Sequence, residues 1–113
     1  MALKRIDRSE WQDFFDKVSK SMKDQQAEIE VAAFSVFDQI EAEWLTIIGI
    51  SYDPKDDIIS VYLENEKGDN LDHLIHRPEK VEVYYKDDAI TEFSILSNDG
   101  SDTIIRLKSP LKL

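Results

Sequence analysis

From Trp11 to Met22 the apolar residues Trp11, Phe14, Phe15, Val18 and Met22 recur at intervals of three and four, with Asp13, Asp16, Lys17 and Lys20 between them. That spacing predicts a helix with one apolar face. Ser9 is placed as N-cap, with Gln12 completing a capping box. Asp7 and Glu10 suit the positive end of the helix dipole, as Lys20 and Lys23 suit the negative end. A Trp and Phe stripe either docks on the protein's own sheet or serves a partner. Docking is expected, because no other long helical pattern could cover that sheet.

From Ala27 onward the period becomes two. Ile29 and Val31 alternate with Glu28 and Glu30, and Phe34 and Val36 shift phase around Ala32 and Ala33, which suggests a bulge. Gln39 to Tyr52 reads as one long strand, apolar on both faces from Trp44 to Ile50 and therefore central and buried, with Gly49 marking a bend. Asp53 and Pro54 begin a tight turn through Asp57. Ile59, Val61 and Leu63 then form the inner face of a strand from Ile58 to Glu64. Leu71, Leu74 and Ile75 fit a single helical turn near 71–76, stopped before Pro78. Three more alternating runs follow, around Val81 to Lys86, Thr91 to Leu96 and Thr103 to Lys108. Asp87-Asp88 and Asn98-Asp99-Gly100 supply the turns between them. The fold class is α+β: an N-terminal helix packed on a curled, mainly antiparallel sheet of about six strands.

The 113 residues are read as one domain, since domains most often run to roughly 100–150 residues. A chain of this length buries about two-thirds of its unfolded surface, enough for one core without staples. There is no cysteine, which removes disulfides, thiolate catalysis and Cys-based metal sites. The formal charge of −10 argues against nucleic acid and anionic membranes as partners. That charge is uneven. Residues 1–23 hold six basic and four acidic side chains, residues 24–72 two and thirteen, and residues 73–113 six and seven. The excess belongs to the middle of the chain, either as solubility on exposed strand faces or as a surface for a basic partner. No apolar segment follows the basic N-terminus, and the longest uncharged run, Trp44 to Tyr52, is about half a membrane span. A cytoplasmic location is expected.

Catalytic signatures are scarce. With three glycines there is no phosphate-binding loop, and no Gly-x-Ser-x-Gly elbow occurs. His73 and His76 sit three apart beside Asp72 and Arg77, so on a helical turn they would share a side. Asp69 and Asp72 could add carboxylates for a metal, but a zinc-protease helix spaces its pair by four with a Glu between. Asp53, Asp56 and Asp57 gather carboxylates around Pro54 without the alternation of a calcium loop. Ordinary turn chemistry explains them as well. A binding site from Tyr52, Asp53, Asp57, His73, His76 and Arg77 requires the two segments to meet in space. No catalytic residue, metal or cofactor is assigned.

Alternation also places Tyr62 opposite Val61 and Leu63, and Tyr84 opposite Val83 and Tyr85. If the helix covers one face of the sheet, Trp44, Tyr62 and Tyr84 could line the other as an exposed patch for protein recognition. A sheet curled enough to bury both faces is the competing expectation.

At the Trp44 to Asp57 strand and turn and the His73 to Pro78 segment, preceded by the aromatic helix from Glu10 to Ser19, the sequence resembles a small uncharacterised bacterial family, a domain of unknown function. The resemblance covers nearly the whole chain, implies the same domain extent and supplies no activity. The leading expectation is a non-enzymatic interaction module with an acidic surface for a basic protein, monomeric or dimerising through a sheet edge. The alternative is a ligand or metal site between the 52–57 turn and His73/His76.

Overall fold

The computed structural model describes residues 2–33 and 36–113, and side chains outside 33–43. The alternating runs are strands and the aromatic stripe is a helix. In chain order these are β1 (Ala2–Ile6), a 3-10 turn (Arg8–Glu10), α1 (Trp11–Lys20), β2 (Gln26–Ala33), β3 (Val36–Asp53), β4 (Ile58–Glu64), β5 (Asn70–His76), β6 (Pro78–Lys86), β7 (Ala89–Ser97) and β8 (Asp102–Leu111). They form one open antiparallel sheet in the order β1-β6-β7-β8-β2-β3-β4-β5.

Among the described residues the sheet has eight strands rather than about six, and both additions have a physical cause. In β1 only Ile6 is buried, so no alternation of apolar residues marks it. The expected helical turn near 71–76 is instead β5. Ile75 faces the core opposite Ile59 while Leu74 faces solvent opposite Ser60. Leu74 and Ile75 are therefore on opposite faces of a strand rather than one face of a helix. Arg77, at φ 48°, turns the chain out of β5, and Pro78 opens β6 at a strand's first position, where a missing N–H is tolerated. The helix start also differs. Asp7, not Ser9, supplies the side-chain cap, accepting from the Ser9 N–H, and α1 begins at Trp11.

The sheet curls around α1, so its inner face holds the core. Trp11, Phe15 and Val18 lie against Ile29, Ile50, Val61, Phe93 and Ile105, all almost fully buried. Phe14 and Phe15 meet Phe93 at ring separations of 6.4 and 6.3 Å. The curl buries this inner face alone: Trp44 and Ile48 stand in solvent, so the run from Trp44 to Tyr52 is central in the sheet but not buried on both sides.

At Thr46 the partner strand β2 has ended, since it begins at Gln26 opposite that residue. Beyond it, α1 takes over the open edge of β3. The Ile47 N–H donates to the Gln25 carbonyl at 3.0 Å. Ser19 Oγ accepts the Ile50 N–H at 2.9 Å and donates to the Ile50 carbonyl at 2.7 Å. One hydroxyl thus satisfies two backbone groups that a strand would otherwise have paired. Gly49 permits the approach, because a Cβ there would lie 3.1 Å from Ser19 Oγ. The register of β3 against β4 shifts between Ile47 and Gly49.

Candidate functional site

Part of the anticipated constellation does assemble. Tyr52, at the inner end of β3, donates its hydroxyl to Asp57 Oδ1 at 2.8 Å. Asp57 sits at φ 55° where the turn enters β4, and its carbonyl accepts the Arg77 N–H at 2.9 Å. The organising side chain is Arg8, from the 3-10 turn. Its Nη1 donates to the Tyr52 hydroxyl and to Asp57 Oδ1, both at 3.2 Å, and its Nη2 donates to the Pro78 carbonyl at 2.7 Å. The guanidinium carbon lies 4.4 Å from the centre of the Trp11 ring. Trp11 in turn meets Tyr52 edge-on at 5.1 Å and donates its Nε1 hydrogen to the Ile6 carbonyl. Burial, and next the hydrogen bond to Asp57, push the Tyr52 hydroxyl above the usual phenol range. A shallow groove of about 480 Å³ opens beside Arg8, Gln12, Tyr52, Pro54 and Asp57. Because these polar groups satisfy one another, the cluster works as a tie between the N-terminal turn, the β3–β4 turn and the β5–β6 junction.

The remaining candidates are directed elsewhere. Asp53 is exposed and accepts the Lys55 N–H of its own turn at 2.9 Å. Strand alternation sends His73, opposite Val61, to the inner side and His76, opposite Ile58, to the outer side. Both border a groove of about 310 Å³ between β5 and the β7–β8 hairpin. Among the described residues, no three His, Asp or Glu side chains gather as a metal site, and no helix is long and apolar enough to cross a membrane.

The three aromatics do not make one patch, since β7, β8, β2 and β3 lie between Tyr84 on β6 and Tyr62 on β4. Tyr84 is half-buried opposite Leu3 and Glu92, and burial, then Glu82, raise its pKa. Tyr62 is 38% exposed and shares a hydrogen bond with Ser51 Oγ at 2.9 Å. Trp44 is also 38% exposed and sits at φ 51°, uncommon for a bulky residue. The Lys108 ammonium lies 6.0 Å from its ring centre.

Two kinds of outer surface result. Across β1, β6, β7, β8 and β2 the exposed face is tied by charge. Arg106 reaches Glu30 at 2.9 Å, Glu28 at 3.1 Å and Glu92 at 3.4 Å, while Arg5 and Lys80 meet Glu82 at 3.6 and 3.5 Å. Across β4, β5 and the second half of β3 the same face presents Ile48 and Leu74, each 48% exposed, with Tyr62. Asp53, Glu64 and Asp72 occupy other outward positions there. Part of the acidic span is thus neutralised in β2, and part flanks an apolar surface.

Sequence reasoning missed Arg8, Ser19 and Arg106. Arg106 had a signal, a basic residue in an alternating run, but its partners depend on knowing that β8 lies between β2 and β7. Arg8 and Ser19 act across 49 and 31 residues, and nothing local announces either.

A model of the Family of unknown function (DUF5335) matches residues 2–113. An uncharacterized protein of Aquifex aeolicus (strain VF5) is 33% identical over 113 residues, covering 100% of this chain and 98% of the relative. No solved structure matches. The chain belongs to the Family of unknown function (DUF5335).

Proposed function

We propose that this domain is a protein-binding module, working through the outer face of β3, β4 and β5 on a partner with a basic surface. The observation that carries the reading is the exposure of Ile48, Tyr62 and Leu74 on the half of the sheet whose outward acids, Asp53, Glu64 and Asp72, flank them. Apolar anchors with a polar rim are the usual composition of a recognition patch, and carboxylates at the rim favour basic partners by steering and by register. Binding rather than catalysis is supported by the Arg8–Tyr52–Asp57 cluster, whose polar groups are engaged with one another.

A photo-crosslinking residue placed at position 62 is expected to trap the same cellular protein repeatedly. The adduct yield should fall as salt rises from about 0.05 to 0.5 M. The same residue at position 84, on the ion-paired half, should trap little. Equal yields from the two positions, or an adduct indifferent to salt, would overturn the proposal.

A further inference from the structure

We propose that β5 also pairs, antiparallel and in one register, with β5 of a second copy of this chain. In that register Leu74 faces its counterpart across a two-fold axis and Asp72 faces the partner's His76. Among the described residues β5 ends the sheet, with β4 on one side only. The Asn65 N–H donates to the Asp69 carbonyl, and the Arg77 N–H donates to the Asp57 carbonyl. These two bonds aim the backbone groups of the odd-numbered residues of β5 toward β4. By antiparallel alternation, those of Asp72, Leu74 and His76 point to the open side. The open stretch stops after His76, because the Asn98 N–H already donates to the Arg77 carbonyl at 3.0 Å. Leu71 and Leu74, 44% and 48% exposed, project from opposite faces of this strand. No register shift interrupts its pairing with β4. It therefore lacks the bulge, proline or lysine that usually blunts an edge.

The register follows from charge. With Leu74 at the axis, Asp72 lies opposite the partner's His76 twice, and each facing pair exchanges both of its backbone hydrogen bonds. An imidazole N–H donates to a carboxylate whether or not the ring is charged. Centring on Asp72 would set two carboxylates face to face. Centring on His73 would set Asp72 against Leu74, and centring on His76 would set Leu74 against Pro78, which has no N–H to give. Only the Leu74 register sets Asp72 opposite the partner's His76 while pairing the outward backbone groups with one another. It also joins the two outer faces that carry Tyr62 and Ile48 into one surface.

Sedimentation velocity at low ionic strength tests the pairing, with circular dichroism as a check on folding. The chain is expected to dimerise with a dissociation constant on the order of micromolar or weaker, as suits an interface smaller than the ~1,600 Å² of standard complexes. Asp72→Lys and His76→Glu should each weaken the dimer by about tenfold or more, since the first takes the carboxylate acceptor from the facing imidazole N–H and the second sets two carboxylates opposite one another. An equimolar mixture of those two variants should form a heterodimer, because one facing pair in it is reversed and the other native. The double variant should recover too, because both of its facing pairs are reversed and again of opposite charge. Leu74→Pro removes an outward-pointing N–H without touching the β4 ladder and should leave a folded monomer. The proposal fails if the chain stays monomeric to about 1 mM, if the mixture and the double variant stay as weak as the single variants, or if Leu74→Pro leaves the dimer intact. No third protein enters this readout, so its failure and that of the proposed partner surface are separable.

Discussion

The two halves of the sheet are held by different means. The half built from β1, β6, β7, β8 and β2 is paired strand to strand up to its edge at β1 and is laced on its outside by Arg106 and Glu82 with their counter-charges. The half from Thr46 through β5 has lost β2 on one side and, among the described residues, has no strand beyond β5 on the other. It is held from within, by Ser19 on the edge of β3 and by the Arg8–Tyr52–Asp57 tie. The contrast separates stabilising charge from available surface. On the second half Ile48, Tyr62 and Leu74 stand exposed among the outward acids.

Ser19→Ala should break the inwardly held half most severely. It leaves the Ile50 N–H and carbonyl without their partner in a nearly dry position, and each such group costs roughly 1–3 kcal/mol. A loss of about 2 kcal/mol in urea unfolding is expected, with hydrogen exchange rising first at Ile47 and Ile50. Gly49→Ala should act in the same direction by about 1 kcal/mol, because the added methyl meets a Ser19 side chain that its two hydrogen bonds hold in place.

Arg106→Gln attacks the other half. Hydrogen bonds to charged groups contribute about 1.5–3 kcal/mol, but Arg106 is partly open to solvent, so screening reduces the expected loss to about 1–1.5 kcal/mol. The pH dependence has a definite sign. Burial raises the Glu92 pKa while Arg106 opposes the rise. A raised carboxylate pKa means the folded state prefers the protonated form, so stability is gained as pH falls through that pKa and lost as pH rises through it. Removing Arg106 strengthens that preference. The deficit of the variant against the parent should therefore be largest near pH 7 and shrink toward pH 4. A deficit that grows on acidification would show that Glu92 is not the group responding.

The same contrast explains what could be read from the residues. β2, β4, β6, β7 and β8 each carry apolar residues on a buried side that alternate with polar or less apolar ones, so alternation alone reveals them. β1 buries only Ile6, and β5 exposes Leu71 and Leu74 on opposite faces; an edge strand with little buried surface leaves no periodic trace. Tyr52 and Asp57 were legible as neighbours because one tight turn joins them. Arg8, 49 residues from Asp57, depends on the three-dimensional meeting of the helix start with the β5–β6 junction. The position of the acids was legible, but whether each had a partner was not, since that depends on Arg106 arriving from β8.

Tyr52→Phe probes the tie alone. The ring keeps its packing on Trp11, while Arg8 loses one acceptor and Asp57 one donor, for an expected loss of about 1 kcal/mol. Alkaline titration gives a second readout. The folded state holds Tyr52, Tyr84 and Tyr85 above the ordinary phenol pKa, for burial first in each, so their contribution is present below about pH 10 and lost as pH rises past it. Phenolate absorbance should therefore appear together with unfolding. In Tyr52→Phe that coupling should weaken.

The smallest expected effect is the one that sharpens the comparison most. Ile48→Ser, Tyr62→Ser and Leu74→Ser remove apolar side chains that are already near half exposed, so little burial is lost and each should change stability by no more than about 0.5 kcal/mol. Leu74→Ser keeps its backbone N–H, so the edge ladder can still form, though with less apolar contact at the axis than the parent. If all three leave unfolding unchanged while position 62 loses its crosslinked partner in Ile48→Ser, these side chains serve recognition. If they destabilise by as much as Arg106→Gln, the outer face of β3, β4 and β5 is a structural surface, and the two halves do not differ in kind.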